Sequence, residues 1–86
     1  MSRSCAISIV IPVFNEAESL PDLLDKIRAL KIAHAEILVI DDGSVDGSAE
    51  IAFNAGANVV RHPYNIGNGA AVKSGIRAAQ GRTLVL

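Results

Sequence analysis

The chain has 86 residues and a formal net charge of −1, with 50% hydrophobic and 20% charged residues. This length corresponds to one small domain or to part of a larger one, and the composition argues against a disordered chain. The absence of a basic cluster argues against nucleic acid as a partner. Cys5 is the single cysteine, which excludes an internal disulfide and a cysteine-based zinc site.

The first element is a β-branched run. Residues 7–11 contain Ile7, Ile9 and Val10, and such a run predicts a strand that is buried on both faces. We expect Pro12 to end it.

A helix is predicted next, because apolar residues recur at helical spacing between residues 20 and 30, with charged residues between them. Ser19 is the expected N-cap, which places Pro21 in the first turn, where proline is tolerated. Asn15 is a rival cap, but a start there would put Pro21 inside the helix.

The middle of the chain predicts a second strand at residues 37–40, which ends at Asp41 and Asp42. Asp46 is the expected cap of a short helix that runs to about Ala55, and Gly56 is its expected left-handed stop. Residues 59–61 then predict a third strand.

The last elements are a helix over residues 69–80, ended by Gly81, and a strand over residues 83–86. The resulting order, β-α-β-α-β-α-β, predicts an α/β fold with a parallel sheet and right-handed crossovers. Strand 4 is apolar and is followed by no cap, turn or polar tail. We therefore expect residues 1–86 to be part of a longer domain.

Polar residues concentrate in the loops after strands 1, 2 and 3, and ligands of open parallel sheets bind beyond the carboxyl ends of the strands. The first loop has neither the Gly-x-Gly-x-x-Gly of dinucleotide folds nor a phosphate-binding P-loop. The third loop offers Gly67 and Gly69 at a helix start, with Lys73 one turn further. Gly69 and Lys73 are candidate phosphate contacts, although Lys73 is equally consistent with a surface lysine.

Three segments resemble the family 2 glycosyltransferases, including the polyprenyl-phosphate mannosyl- and glucosyltransferases. They are VIPVFNE at residues 10–16, VIDDGSVDG at residues 39–47 and NIGNGAA at residues 65–71. The resemblance implies a GT-A fold, whose Rossmann-like parallel sheet has the strand order 3-2-1-4. It also implies that the chain is the N-terminal, nucleotide-sugar-binding part of an inverting glycosyltransferase.

The resemblance also implies the site residues. Pro12, Phe14 and Glu16 would line the nucleoside pocket, although Glu16 could instead begin the first helix. Asp42 would bind the base, with Ile40 beside it. A carboxylate can accept the N3–H of uracil or the N1–H and amino group of guanine, so UDP-, GDP- and TDP-sugars all remain possible.

The catalytic metal, Mg²⁺ or Mn²⁺, is implied by the resemblance too, but its ligands are expected after strand 4, so no metal ligand or catalytic base is assigned. We therefore expect the isolated chain to be inactive. The resemblance to polyprenyl-phosphate glycosyltransferases makes a polyprenyl phosphate the candidate acceptor. The alternatives are a stand-alone, non-catalytic nucleotide-binding module and a receiver-type signalling domain. The second alternative requires a pair of acidic residues after strand 1, where this chain has Asn15 and a single acidic residue, Glu16.

Several residues have simpler interpretations. Asp41 is interpreted either as a solvated strand end or as part of the site. Asp46 is interpreted either as a helix cap or as a ligand contact. His34 and His62 are expected to take part in no chemistry. The apolar run at residues 6–10 is too short to span a bilayer, which favours a cytoplasmic location. The edge formed by strand 4 is expected to cause self-association.

Overall fold

Four strands and three helices alternate along the chain in the computed structural model, which describes residues 5–86. The first four residues of the predicted domain 1–86 lie outside the described part. The elements are β1 Ile7–Val13, α1 Leu20–Ala29, β2 Ala35–Asp41, α2 Ser48–Asn54, β3 Asn58–Arg61, α3 Asn68–Ala78 and β4 Arg82–Val85. All neighbouring strands are parallel and their order is β3-β2-β1-β4. The predicted α/β fold and strand order are confirmed.

The helices cover the two faces of the sheet unequally. Helices α1 and α2 pack on one face, where Leu20, Leu24 and Ala52 belong to the same core as the odd-numbered residues of β1. Helix α3 covers the other face and contributes Ala71 to a smaller core with Val10 and two residues of β2. This distribution is the one that right-handed crossovers produce in this strand order.

Pro12 lies inside β1, so the prediction that it ends this strand is wrong. The backbone groups of a strand point alternately to its two neighbours. The carbonyl of Val13 accepts the N–H of Asp42 on the β2 side, and the carbonyl of Val10 accepts the N–H of Leu86 on the β4 side. The missing N–H of Pro12 therefore falls on the β4 side, past the last β1–β4 residue pair. A proline is tolerated there because the N–H that it lacks is not part of the β1–β2 ladder.

Helix α1 begins where predicted, but without the predicted side-chain cap. Ser19 occupies the N-cap position and Pro21 lies in the first turn. The Ser19 hydroxyl donates to Oε1 of Glu16 at 3.1 Å and caps no backbone N–H. Asn15 belongs to the preceding loop, where it has a positive φ of 52°.

Helix α2 begins at Ser48 after Gly47, which is left-handed with a φ of 88°. Asp46 is therefore not the N-cap residue, although its Oδ1 still accepts the N–H of Ser48 at 3.1 Å. At the other end, Gly56 has a φ of 89° and is the predicted left-handed stop.

Helix α3 ends at Ala78, before the predicted Gln80, and Ala79 is already extended. Gly81 is thus not the helix stop. A Cβ at position 81 would lie 2.6 Å from the carbonyl carbon of Ala6, so glycine is needed where the α3–β4 turn crosses the start of β1. Within residues 5–86 no helix has the length and apolar composition to cross a bilayer.

Candidate functional site

The loops after β1 and β2 are joined to each other at the carboxyl edge of the sheet. Asn15 donates its backbone N–H to the Ser44 hydroxyl at 2.7 Å, and its side-chain oxygen accepts the N–H of Val45 at 2.9 Å. The N–H of Ala17 reaches Oδ2 of Asp46 at 3.0 Å. The polar residues of both loops therefore hold the two loops together.

Asp46 contributes to this junction from an exposed position. Its Oδ1 accepts the Ser48 hydroxyl at 2.6 Å. Hydrogen bonds from Ser48 and from the Ala17 N–H outweigh desolvation and hold the pKa of Asp46 below its usual value. The sequence allows two interpretations of Asp46, a helix cap or a ligand contact. The geometry fits a capping role, because its carboxylate binds the backbone at the start of α2.

Asp42 binds the third loop. Its Oδ1 accepts hydrogen bonds from Nδ1 of His62 at 2.6 Å and from the N–H of Ile66 at 3.0 Å. Its Oδ2 accepts the N–H of Gly67 at 2.8 Å and the side-chain amide of Asn65 at 3.0 Å. These donors occupy the roughly four lone-pair positions of a carboxylate. Asp42 thus fixes the path of the chain into α3.

The ionisation of Asp42 follows from these contacts. Burial raises the pKa of its carboxyl, but hydrogen bonds from His62 and from the N–H groups of Ile66 and Gly67 outweigh burial, so the pKa lies below its usual value. Asp42 is therefore ionised at neutral pH. An ionised carboxylate only accepts hydrogen bonds, so Nδ1 of His62 carries a proton.

His62 was missed in the sequence, where it was expected to do no chemistry. Its side chain is buried between Asp42 and Ser74, whose hydroxyl lies 2.8 Å from Nε2. The register of β2 and β3 pairs Asp41 with Arg61, so the next residue of each strand also lies side by side. A predicted β2–β3 register would therefore have placed His62 beside Asp42.

A cleft of about 380 Å³ opens between the first and third loops. Four predicted site residues line it: Pro12, Phe14, Glu16 and Asp42. Other residues of its wall were not predicted as contacts: Val13, Asn65, Gly67, Asn68 and Ala71. The structure therefore brings most of the residues implied by the resemblance into one place.

The other three predicted site residues lie outside the lining of this cleft. Ile40 is fully buried in the core beneath α3. Gly69 is in the first turn of α3, where nothing contacts the position of a Cβ. Lys73 is exposed on α3, on the side opposite the buried Ala71 and Gly75.

Asp41 is fully buried, so its interpretation as a solvated strand end is wrong. Pairing with β3 continues to the last residue of β2 and covers it. Neither oxygen of its carboxylate has a hydrogen-bond partner among the described residues, but Nε of Arg61 lies 3.6 Å from Oδ2. The guanidinium group of Arg61 therefore provides the positive charge beside the Asp41 carboxylate. Arg61 also forms an ion pair with Glu50 at 3.3 Å.

The described residues do not fit the divalent metal that the resemblance implies. Among residues 5–86, no group of three or more His, Cys, Asp or Glu side chains could hold a metal ion. Asp41 lies against a guanidinium group, and the lone pairs of Asp42 are occupied.

A larger depression, of about 660 Å³, lies at the amino edge of the sheet. Its lining includes Cys5, His34 and Arg82, but none of the predicted site residues. Since ligands of open parallel sheets bind beyond the carboxyl ends of the strands, we assign the candidate site to the smaller cleft.

The cleft has the groups that a planar ring and a polyoxygen ligand require. Phe14 is 46% exposed and offers an aromatic surface, while Glu16, Asn65 and Asn68 supply polar groups. Helix α3 begins here without a side-chain cap, so its first N–H groups are suited to an anion.

Comparisons with known proteins agree with this geometry. The sequence model described as "Glycosyl transferase family 2" matches residues 8–86. An undecaprenyl-phosphate 4-deoxy-4-formamido-L-arabinose transferase from Pseudomonas fluorescens is 39% identical over 92% of this chain and 26% of its own length.

Two solved structures share the fold. Mannosyl-3-phosphoglycerate synthase from Rubrobacter xylanophilus has a TM-score of 0.77 and 30% identity, and the match covers 90% of this chain and 28% of that one. Glucosyl-3-phosphoglycerate synthase from Mycobacterium tuberculosis, in complex with Mn²⁺, UDP and glucosyl-3-phosphoglycerate, has a TM-score of 0.81 and 28% identity, covering 95% and 33%.

The chain therefore spans about a quarter to a third of these relatives. Because the family match extends over nearly all of its residues and the fold agrees with that match, the chain belongs to glycosyltransferase family 2.

Proposed function

We propose that this chain forms the nucleotide-binding part of an inverting glycosyltransferase that uses a nucleoside-diphosphate sugar. The observation that carries this proposal is the cleft, which collects Pro12, Phe14, Glu16 and Asp42 at the carboxyl edge of a family 2 chain. A relative of known structure was solved with UDP, which supports a nucleoside diphosphate as the ligand. Whether the base is uracil, guanine or thymine is left to experiment.

The proposed contacts follow from the chemistry of the lining. Phe14 offers an exposed ring against which a base can stack, and the start of α3, including Gly69, would face the diphosphate. Lys73 would reach the phosphates only by extending around the helix.

Base recognition by Asp42 requires an exchange of hydrogen bonds. Three of its donors are two backbone amides and a buried histidine, whereas the fourth, Asn65, is an exposed side chain. A base N–H would therefore take the acceptor position now held by the Asn65 amide.

Calorimetric titration of the protein with UDP, GDP and TDP tests this assignment. Asp42→Ala should weaken nucleotide binding by about 1.5–3 kcal/mol, because a charge-assisted hydrogen bond is lost. Asp22→Ala is the control, since Asp22 pairs only with Lys26 on the exposed side of α1. Phe14→Ala provides a second test if Asp42→Ala fails to fold. Unchanged affinity in both cleft variants would refute the site.

We propose a phosphorylated lipid such as a polyprenyl phosphate as the acceptor, because a relative that is 39% identical is an undecaprenyl-phosphate transferase. The ionised phosphate oxygen of such an acceptor attacks the anomeric carbon, and the bond from that carbon to the nucleoside diphosphate breaks as the diphosphate leaves. A hydroxyl acceptor would in addition need a base to take its proton. A lipid acceptor favours a cytoplasmic position at the inner face of a membrane. The presence of a single cysteine, Cys5, is compatible with that reducing compartment.

We expect residues 1–86 alone to transfer no sugar, because the described residues offer neither a metal site nor an assigned base. Any Mg²⁺ or Mn²⁺ needs ligands other than these residues. Transfer assays over a series of metals test this expectation, and enzyme-dependent transfer by the 86-residue chain would show that the active site is misplaced. Binding with no transfer by a longer protein would favour the non-catalytic module.

We also propose that the chain self-associates through β4. Leu84 and Val85 are 49% and 40% exposed, and β4 is the outer strand of the described sheet. An apolar edge of this kind recruits other strands. Light scattering over a concentration series should show a rising mass, which Val85→Lys should reduce. A monodisperse monomer at high micromolar concentration would contradict the proposal.

A further inference from the structure

His62 is the buried group that the proposed contacts leave unused. It is 9% exposed, and both of its ring nitrogens have partners: Nδ1 lies 2.6 Å from Oδ1 of Asp42, and Nε2 lies 2.8 Å from Oγ of Ser74. The chain Asp42–His62–Ser74 joins the end of β2 to the middle of α3 through a side chain that does not line the cleft.

The protonation of the two nitrogens follows from their partners. The ionised Asp42 accepts, so Nδ1 is the donor. Nε2 accepts the Ser74 hydroxyl proton when the imidazole is neutral and donates to it when the ring is charged, since a hydroxyl can do either. Both hydrogen bonds therefore form with either role of Nε2, as long as Asp42 is ionised, and the two partners fix the orientation of the ring.

The contact with Asp42 reaches the cleft wall. The same oxygen that accepts from His62 also accepts the N–H of Ile66, and the other oxygen accepts the N–H of Gly67. Rotation of the carboxylate would disturb both amides. A donor on Oδ1 from the side away from the cleft prevents that rotation.

We propose that His62 is a positioning residue of the cleft, which acts through Asp42 to fix the peptide N–H groups of Ile66 and Gly67 and hence the wall that carries Asn65 and Asn68. It touches no ligand itself. The role in nucleotide binding rests on the proposed function, whereas the role in fixing the two amides does not.

Two amide variants separate this role from simple core packing. In His62→Asn the amide nitrogen occupies the place of Nδ1 and can still donate to Asp42. In His62→Gln it occupies the place of Nε2 and can reach Ser74 instead. Both variants leave a polar group in the same buried position, so a packing role predicts similar losses for the two. Ser74→Ala removes only the second contact.

The first measurement is hydrogen exchange of the backbone amides, which needs no ligand. We expect the N–H groups of Ile66 and Gly67 to exchange at least about tenfold faster in His62→Gln than in the unaltered protein, because Asp42 loses a charge-assisted bond. In His62→Asn and Ser74→Ala the change should stay below about threefold. Equal acceleration in both His62 variants, or no acceleration in His62→Gln, would overturn the proposal.

The second measurement is the affinity for UDP and GDP in the same variants. His62→Gln should bind about tenfold more weakly, and His62→Asn should recover most of the loss. If the unaltered protein binds neither nucleotide, the proposed function fails while the exchange rates still decide the role of His62. If it binds and the two His62 variants bind equally, the positioning role in binding fails alone.

Discussion

Asp42 and Glu36 lie near opposite ends of β2, and each carboxylate holds one end of α3. Asp42 accepts the N–H groups of Ile66 and Gly67, just before the helix. Glu36 accepts the N–H of Gln80, just after it, at 2.9 Å. Helix α3 is therefore fixed to the sheet by a carboxylate at each end as well as by its small apolar core.

The surroundings of the two carboxylates differ. Asp42 is 3% exposed and paired with a buried histidine. Glu36 is half-buried and accepts the Ser8 hydroxyl at 2.6 Å, and the same hydroxyl accepts the N–H of Gln80 in the α3–β4 turn. The amino edge near Glu36 has the larger depression, but the carboxyl edge has the aromatic ring and the converging polar groups. Converging chemistry, rather than volume, distinguishes the candidate site.

Removing the charge of each carboxylate should give the largest effect. Asp42→Asn puts an amide NH₂ against backbone donors in a buried place, so we expect the free energy of unfolding to fall by about 3 kcal/mol or more. Glu36→Gln should lower it by only about 1 kcal/mol, because water can reach the vacated positions. Urea denaturation followed by circular dichroism measures both. Equal losses would mean that the two edges are equivalent supports.

Acid should weaken both supports. Burial raises the pKa of Glu36, but hydrogen bonds, chiefly from Ser8 and from the N–H of Gln80, outweigh it and the pKa is lowered, as it is for Asp42. A lowered pKa stabilises the fold above the unfolded value, and this contribution is lost as the pH falls through the folded value. We expect stability to decline below about pH 4. The decline should be shallower in Asp42→Asn, and an unchanged slope would contradict the role of Asp42.

Lys73→Ala should have the smallest effect on stability and on nucleotide affinity. This variant tests how far the candidate site extends along α3. Because Lys73 is exposed on the side away from the sheet, we expect a stability change below about 0.5 kcal/mol and unchanged nucleotide affinity. Arg77→Ala, exposed on the last turn of α3, is the matched control. A tenfold loss of affinity in Lys73→Ala alone would place Lys73 on the phosphates.

The predicted site residues divide by how they were inferred. Five came from the family resemblance: Pro12, Phe14, Glu16 and Asp42 lie in one cleft, whereas Ile40 is buried in the core beneath α3. Lys73 was inferred from its position one turn into a helix, and rotation about the helix axis carries it away from the cleft. Spacing along the chain does not specify that rotation until the helix packs on the sheet.

The strand order was implied by the family resemblance. Alternation of strand and helix patterns was sufficient for the element order, the parallel sheet and the edge where the loops meet. These features follow from local periodicity and from the handedness of crossovers, which are properties of short segments. The burial of Asp41, the saturation of Asp42 and the partnership of His62 with Ser74 were not accessible in this way. They depend on strand register and loop path between residues that lie 12 to 25 positions apart in sequence, where side chains meet only after the sheet has assembled.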